Sequence, residues 1–215
     1  MEKSAKFKSF LLGCGILASF LYVLTDIIAS VTWSGYQYSS QTVSELFAID
    51  APTRTLVVIC FTFYALLIYA FGVGIWRSAQ GKRSLKFAAI LIIGKEILGL
   101  PATWFFPIHL RGVAGNYSDI MHGIVTAVGV FLFMFPAIIA GAVAFKGTFR
   151  FYSIATMVLF VVFGVLTGLM QPELSADLPT PMMGIFERIN IYGYMVWIVV
   201  FAIRLLRIRT ESARN

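Results

Sequence analysis

Six apolar runs, each about twenty residues long, constrain this chain more than any other feature. They cover approximately 10–31, 56–75, 85–104, 120–143, 154–170 and 186–206. At a rise of about 1.5 Å per residue, twenty apolar residues in a helix cross the hydrocarbon core of a bilayer. Inside lipid every backbone N–H and C=O must be bonded within the protein, which leaves helices as the spanning form for runs of this kind. The linkers on the basic side are short, and those on the other side are longer and rich in Gly, Pro, Ser, Tyr and Trp. The expected fold is all-α: a single domain, 1–215, built as a six-transmembrane-helix bundle. The first run has a basic start but is too long for the apolar core of a signal peptide, so it is expected to be an anchored helix.

Composition agrees. Hydrophobic residues make up 59% and charged residues 13%, and the mean hydropathy is +0.86, a balance that would leave a soluble domain covered in apolar patches. The net charge of +7 is not a nucleic-acid signature, because the cations fall in short groups between the apolar runs: Lys3/Lys6/Lys8, Arg77/Lys82/Arg83/Lys86, Lys146/Arg150 and Arg204/Arg207/Arg209/Arg214. Such alternation follows the positive-inside rule. It predicts both termini and the linkers after the second and fourth runs on the cytoplasmic side of a multi-pass protein of the plasma (inner) membrane. The outward segments, 32–55, 105–119 and 171–184 with the adjoining helix ends, then carry Asp26, Glu45, Asp50, Asp119, Glu173, Asp177 and Glu187, against only Arg54, Arg111 and Arg188. Cys14 and Cys60 fall at different depths and are read as packing residues, since bridged cysteines must approach within roughly 7 Å.

Local signals punctuate the runs. Pro136, inside the fourth run, cannot bond the Leu132 carbonyl, and Pro101 cannot bond that of Ile97, so bends are expected at both. Thr42-Val43-Ser44-Glu45 fits a capping box opening a short helix. Asp50-Ala51-Pro52 and Thr180-Pro181 read as caps starting the second and sixth helices.

The chemistry-bearing residues concentrate toward the outward ends. Asp119, His122 and Thr126 share one helix face, as do Glu187, Asn190 and Tyr194, and Glu96, Gly99 and Thr103; Asp26 and Ser30 stack one turn apart. Polar stripes are costly against lipid and are expected to face one another. Asp119 reads either as the dressed start of its helix or as a member of a shared site with His122, Ser44, Glu45 and Arg188, in which Arg188 is the counter-ion of Asp119 or Glu45. A serine beside a histidine and an acid invites a nucleophile–base reading, although no G-x-S-x-G elbow is present. Lys95-Glu96 falls near the middle of the third run, where it pairs internally or is neutralised by Asp26; it is either a structural pair or part of an ion path. No metal is expected, since His109 is the second of only two histidines and no H-x-x-x-H spacing occurs.

Three stretches carry a family resemblance: SQTVSEL after the first run, FFPIHLRGVAGNYSDIMHG between the third and fourth, and GIFERINIYGYMVW at the sixth. In this order they resemble a prokaryotic integral membrane family catalogued as domain of unknown function 998. The matching positions are Ser40, Gln41, Ser44, Glu45, Phe106, Pro107, His122, Gly123, Glu187 and Arg188. The family pattern has an acid just after Phe-Pro; here Ile108 and His109 follow, and Asp119 is the substitute. The resemblance implies a bundle of about six helices and no particular activity.

Three functional classes stay open. The leading one is recognition of a small or lipid-like amphipathic ligand in an outward polar pocket lined by Ser44, Glu45, Asp119, His122, Glu187, Arg188 and Asn190. The second is an intramembrane enzyme acting on lipid, with His122 as general base oriented by Asp119 or Glu45. The third is an accessory subunit whose polar network sets helix packing. No cofactor fingerprint is present, so none is expected; membrane lipids are the expected partners, and the sequence leaves the oligomeric state open.

Overall fold

A computed structural model describes residues 2–212; Arg214 and the side chain of Arg209, counted above in the last basic group, lie outside the described residues. The described chain is helical with no strand. Its elements are α1 (Glu2–Thr32), a 3-10 turn (Val43–Phe47), α2 (Arg54–Ser78), α3 (Arg83–Phe105), α4 (Tyr117–Val128), a π-helical turn (Gly129–Met134), α5 (Phe135–Ala144), α6 (Thr148–Leu169), the short α7 (Gln171–Ser175) and α8 (Met183–Ser212). Each of the six apolar runs lies within a helical rod, α4, the π turn and α5 forming one continuous rod. Five are long and apolar enough to cross a membrane: Lys6–Thr32, Arg54–Ser78, Tyr117–Ala144, Thr148–Ser175 and Met183–Ile208. The remaining rod, α3, carries Lys95 and Glu96 and is not among the five.

The rods close into a ring in chain order. α1 packs on α2, α2 on α3, α3 on α5, α5 on α6, α6 on α8, and α8 returns to α1. Small residues permit the closest approaches: a Cβ on Gly74 of α2 would stand 3.1 Å from the Leu12 backbone nitrogen of α1. The interior is filled by Ile68, Phe71, Ile92, Ile138, Trp197 and Phe201, all fully buried, with Trp197 and Phe201 in ring contact at 4.9 Å. Outward faces carry Phe20, Phe63, Ile90, Phe131, Val158 and Val196 exposed, a surface suited to lipid rather than water. Both cysteines are free thiols.

Pro136 has a clear local effect. The turn just before it widens to π geometry over Gly129–Met134, which accommodates a residue with no N–H to give. Pro101 lies inside α3, which continues to Phe105. Two expected helix starts need correction. α2 begins at Arg54, not at Asp50: Asp50 is exposed with φ +65°, and the cap position is Thr53, whose hydroxyl donates to the Leu46 carbonyl at 2.7 Å. α8 begins at Met183, and Thr180 serves another purpose described below.

Antiparallel connection gathers the linkers 33–53, 106–116 and 176–182 at one end of the ring. They bond to one another and to α8: Ile49 N–H donates to the Ile108 carbonyl at 2.8 Å, and Ile185 N–H to the Ser39 carbonyl at 3.2 Å. The opposite end carries the 79–82 and 145–147 turns and most of the basic residues.

Candidate functional site at the linker end

Two ion pairs, each built on a buried carboxylate, hold the linker end together. Arg188 is 2% exposed and Asp26 fully buried. Arg188 lies five residues into α8, roughly 7.5 Å from its start, and reaches across to α1, donating from Nε to Asp26 Oδ2 at 2.8 Å and from Nη2 to Oδ1 at 2.9 Å. Its other donors meet the Tyr36 hydroxyl at 2.6 Å and the carbonyls of Tyr38, Gln41 and Gly184 at 2.8, 2.9 and 3.2 Å. The guanidinium also lies 3.8 Å over the Tyr38 ring. The Tyr192 hydroxyl donates to Asp26, and Ser30 donates to it at 3.4 Å. Every donor of a fork-shaped cation is thus used, and the linker backbone is drawn onto the start of α8. Burial pushes the Tyr36 phenol up well above its ordinary value. It therefore stays protonated and donates to the Gln41 and Thr42 carbonyls.

Gly184 explains the glycine of the G-x-x-E-R stretch. A Cβ there would stand 2.3 Å from the Gln41 carbonyl oxygen and 2.5 Å from that of Tyr38. The linker backbone occupies the space a side chain would need. One turn later, Arg188 bonds the same two carbonyls.

The second pair is Glu45 with Arg111. Glu45 is 2% exposed and receives Arg111 Nε at 2.6 Å and Nη2 at 3.0 Å. The same carboxylate accepts the Thr42 N–H at 2.6 Å and the Gln41 amide at 3.1 Å, which is the backward half of the capping box. Arg111 also donates to the Thr180 hydroxyl at 2.8 Å and to the Ser40 carbonyl at 2.7 Å. Thr180 therefore tethers three linkers rather than capping its own helix.

These partners correct the expected pairing. Arg188 neutralises Asp26, not Asp119 or Glu45, and Asp26 is unavailable to Lys95-Glu96. Lys95 instead donates to Glu96 at 2.7 Å, with the Tyr64 hydroxyl donating to the same oxygen at 3.2 Å.

Asp119 and His122 share a face of α4 but engage different partners. Asp119 closes a capping box, accepting the Asn116 N–H at 2.8 Å. It also accepts the His109 backbone N–H at 2.8 Å and the His109 Nδ1–H at 2.7 Å. The carboxylate missing after Phe106-Pro107 in sequence is thus supplied to His109 through space.

His122 is half-buried. Its Nδ1 lies 2.9 Å from the Phe106 carbonyl oxygen. A carbonyl only accepts, so Nδ1 carries the hydrogen, and Nε2 of the neutral ring is left as an acceptor. That Nε2 lies 3.1 Å from the Ser44 hydroxyl, 78 positions away in the chain. The ring is packed beside Phe47, centroids 5.8 Å apart. Ser44 is half-buried and fixed from both sides: Val43 N–H donates to Glu187 at 2.6 Å, and Glu45 is held by Arg111. The arrangement is a hydroxyl directed at an imidazole lone pair whose tautomer is set from behind, the relation a nucleophile and its base require. The orienting group is a backbone carbonyl, not Asp119 or Glu45.

A family model described as Protein of unknown function (DUF998) matches residues 16–204. The chain belongs to that family. No curated protein and no solved structure matches the chain. The three stretches that resemble the DUF998 family meet at the linker end: Ser44 and Glu45 on the 3-10 turn, Phe106 and His122 flanking the second linker, and Glu187 and Arg188 on α8. Of the remaining expected site residues, Asn190 lies one turn beyond Glu187 with a buried Oδ1 that accepts no bond. Among the described residues no three His, Cys, Asp or Glu side chains are grouped to hold a metal ion.

Sequence reasoning passed over Arg111, the Phe106 carbonyl and the tyrosines Tyr36, Tyr38 and Tyr192. Arg111 had a usable signal, being one of only three cations among seven outward acids. The carbonyl had none, because a backbone atom carries no residue identity.

Proposed function

We propose that this DUF998 protein is a six-span membrane protein with cytoplasmic termini, in the plasma membrane of a prokaryote, and that Ser44 and His122 form a hydrolytic dyad at its outward face. The observation that supports the dyad is the pair of bonds on His122: Nδ1–H on the Phe106 carbonyl and Nε2 on the Ser44 hydroxyl. The substrate class is an acyl ester carried on a lipid-like molecule. Tyr117 and Ile120, within two turns of His122 on α4, and Trp104 and Phe105, just before Phe106, are exposed and suit an acyl chain.

The reaction proceeds by acyl transfer. Ser44 Oγ attacks the ester carbon while its proton passes to His122 Nε2. The ester C–O bond then breaks, and Nε2 returns the proton to the departing alcohol oxygen. Water attacks the acyl-serine, gives a proton to Nε2, and the acid leaves as Ser44 regains its hydrogen. The Phe106 carbonyl holds the required tautomer throughout but stabilises the imidazolium less than a carboxylate would. Glu45, Arg111, Asp26 and Arg188 act as the frame, because their donors and acceptors are already used within the protein.

A fluorophosphonate probe tests this. The purified protein should be labelled, Ser44→Ala should abolish labelling, and His122→Gln should slow it by at least about hundredfold. A folded wild-type protein that takes no label, or a Ser44→Ala variant labelled as wild type, overturns the reading.

A further inference from the structure

We propose that the basic end of the bundle holds a binding site for the phosphate group of an anionic lipid. The inference is independent of the dyad, which lies at the opposite end. A cavity of about 690 Å³ opens there, and Lys82, Arg83, Ser84, Lys146 and Arg204 line it. The cations come from three separate segments: the turn after α2 with the start of α3, the turn after α5, and α8. Two of them converge on one aromatic ring. Lys82 Nζ lies 5.4 Å and the Arg204 guanidinium 5.8 Å from the centroid of Phe145. Phe145 is itself buried and wedged against Phe149 and Phe201, so the two cations are held near one fixed point.

Gathering like charges costs free energy that an anion recovers. The ion pairs among the described residues involve none of Lys82, Arg83, Lys146 and Arg204. Among the described residues no carboxylate lines the cavity either. Two guanidinium groups, two ammonium groups and the Ser84 hydroxyl form a donor set suited to phosphate oxygens.

The surroundings favour a lipid over a free anion. Val143 and Ile208 complete the wall with apolar surface, and Val143 is largely exposed. A second cavity, about 480 Å³, shares Arg83 and Ser84 with the first and continues along Trp76, Phe87 and Ile90. These three side chains are exposed on the outer face of α2 and α3. Lys86 lies 5.2 Å over the Trp76 ring at the same place. A headgroup phosphate seated among the cations would thus leave its acyl chains against an apolar surface facing the membrane.

The test uses the full chain in a neutral detergent at constant ionic strength. It is titrated in parallel with phosphatidylglycerol, phosphatidylcholine and inorganic phosphate, and bound lipid is read by native mass spectrometry alongside the melting midpoint. Phosphatidylglycerol should bind and raise the midpoint, and phosphatidylcholine should do neither. Lys82→Gln with Arg204→Gln should weaken phosphatidylglycerol binding by about thirtyfold, as should Arg83→Gln with Lys146→Gln. Two pairs are specified so that misfolding of one leaves the other as the test. Equal binding of the two lipids, or wild-type binding by a folded paired variant, overturns the site. A midpoint rise of the same size with inorganic phosphate alone overturns the lipid assignment in favour of a soluble anion.

Discussion

At the scale of single residues, the Lys95–Glu96 and Asp26–Arg188 ion pairs both sit within apolar helices and differ in what depends on them. Lys95 and Glu96 bond each other and the Tyr64 hydroxyl, and Lys95 also lies 5.5 Å from the Tyr194 ring centroid. Asp26 and Arg188 hold Tyr36, Tyr192 and the linker carbonyls of Tyr38 and Gln41 besides each other. Replacing a buried pair by apolar groups of similar volume is often neutral, whereas stranding one partner costs about 3–5 kcal/mol. The variant Lys95→Met, Glu96→Leu, Tyr64→Phe strands nothing and should keep the wild-type melting midpoint. Arg188→Met alone strands the Asp26 carboxylate, which Asp26→Leu with Arg188→Met removes, but in both the Tyr38 carbonyl loses its donor and the 33–53 linker its tie to α8. The double variant should therefore recover only part of the melting midpoint lost by Arg188→Met. A thermal melt of the wild type and the three variants in one detergent decides, and full recovery by the double variant would refute the clamp. The pairing of Lys95 with Glu96 was one of the two readings of the sequence, and the structure shows it. The pairing of Asp26 with Arg188 was not legible, because it closes the ring between α1 and α8, and only the ring's order brings those helices together.

At the scale of elements, the rod from Tyr117 to Ala144 carries His122 at one end and Gly141 at the other. Both ends have fixed partners: His122 meets Ser44, and a Cβ on Gly141 would stand 2.8 Å from the Trp197 ring. The π turn adds one residue between them, just before Pro136. Removing one residue from that turn returns the rod to regular α geometry with both ends still in register. It also puts Pro136 in an ordinary helix interior, at a cost of about 3 kcal/mol. Deletion of Phe131, an exposed residue, should therefore be tolerated when combined with Pro136→Ala and be visibly destabilising without it. Deletion of Ile139, also exposed but in regular α5, should abolish folding, since it turns one end about 100° against the other. Melting midpoints and the monodisperse fraction on size-exclusion chromatography check all three; a Phe131 deletion no more stable with Pro136→Ala than without it would sink the argument. A departure from regular α geometry near Pro136 was legible from the proline alone. Its form as a π turn was not, because that depends on which faces the two half-rods must present. The misplaced helix starts at Asp50 and Pro181 have a similar origin. Thr53 and Thr180 are committed to carbonyls of other segments, and local capping preferences do not register such tertiary bonds.

At the scale of the whole molecule, charge is sorted between two ends that the fold keeps apart. One end carries Glu45, Asp119, Glu173, Asp177 and Glu187 with linkers that bond one another; the other carries the basic turns around Lys82, Lys146 and Arg204. The separation follows from the antiparallel ring and from the sequence pattern together, so it was readable in advance, whereas the bonds within each end were not. The positive-inside rule converts this sorting into the proposed orientation, with the linker end outward. It also makes Ala114 and Thr148 opposite reporters: both are exposed, Ala114 in the 106–116 linker and Thr148 at the start of α6. With Cys14 and Cys60 replaced by alanine, a membrane-impermeant maleimide applied to intact cells should modify Ala114→Cys and leave Thr148→Cys untouched until the membrane is opened. The dyad depends on this result for its substrate, since an outward Ser44 meets lipids of the outer leaflet and an inward one meets those of the cytoplasmic leaflet. Modification of Thr148→Cys alone in intact cells would invert the topology, moving the phosphate site outward and the dyad to the cytoplasm. The bonds of His122 to Ser44 and Phe106 are internal and would be the same in either orientation.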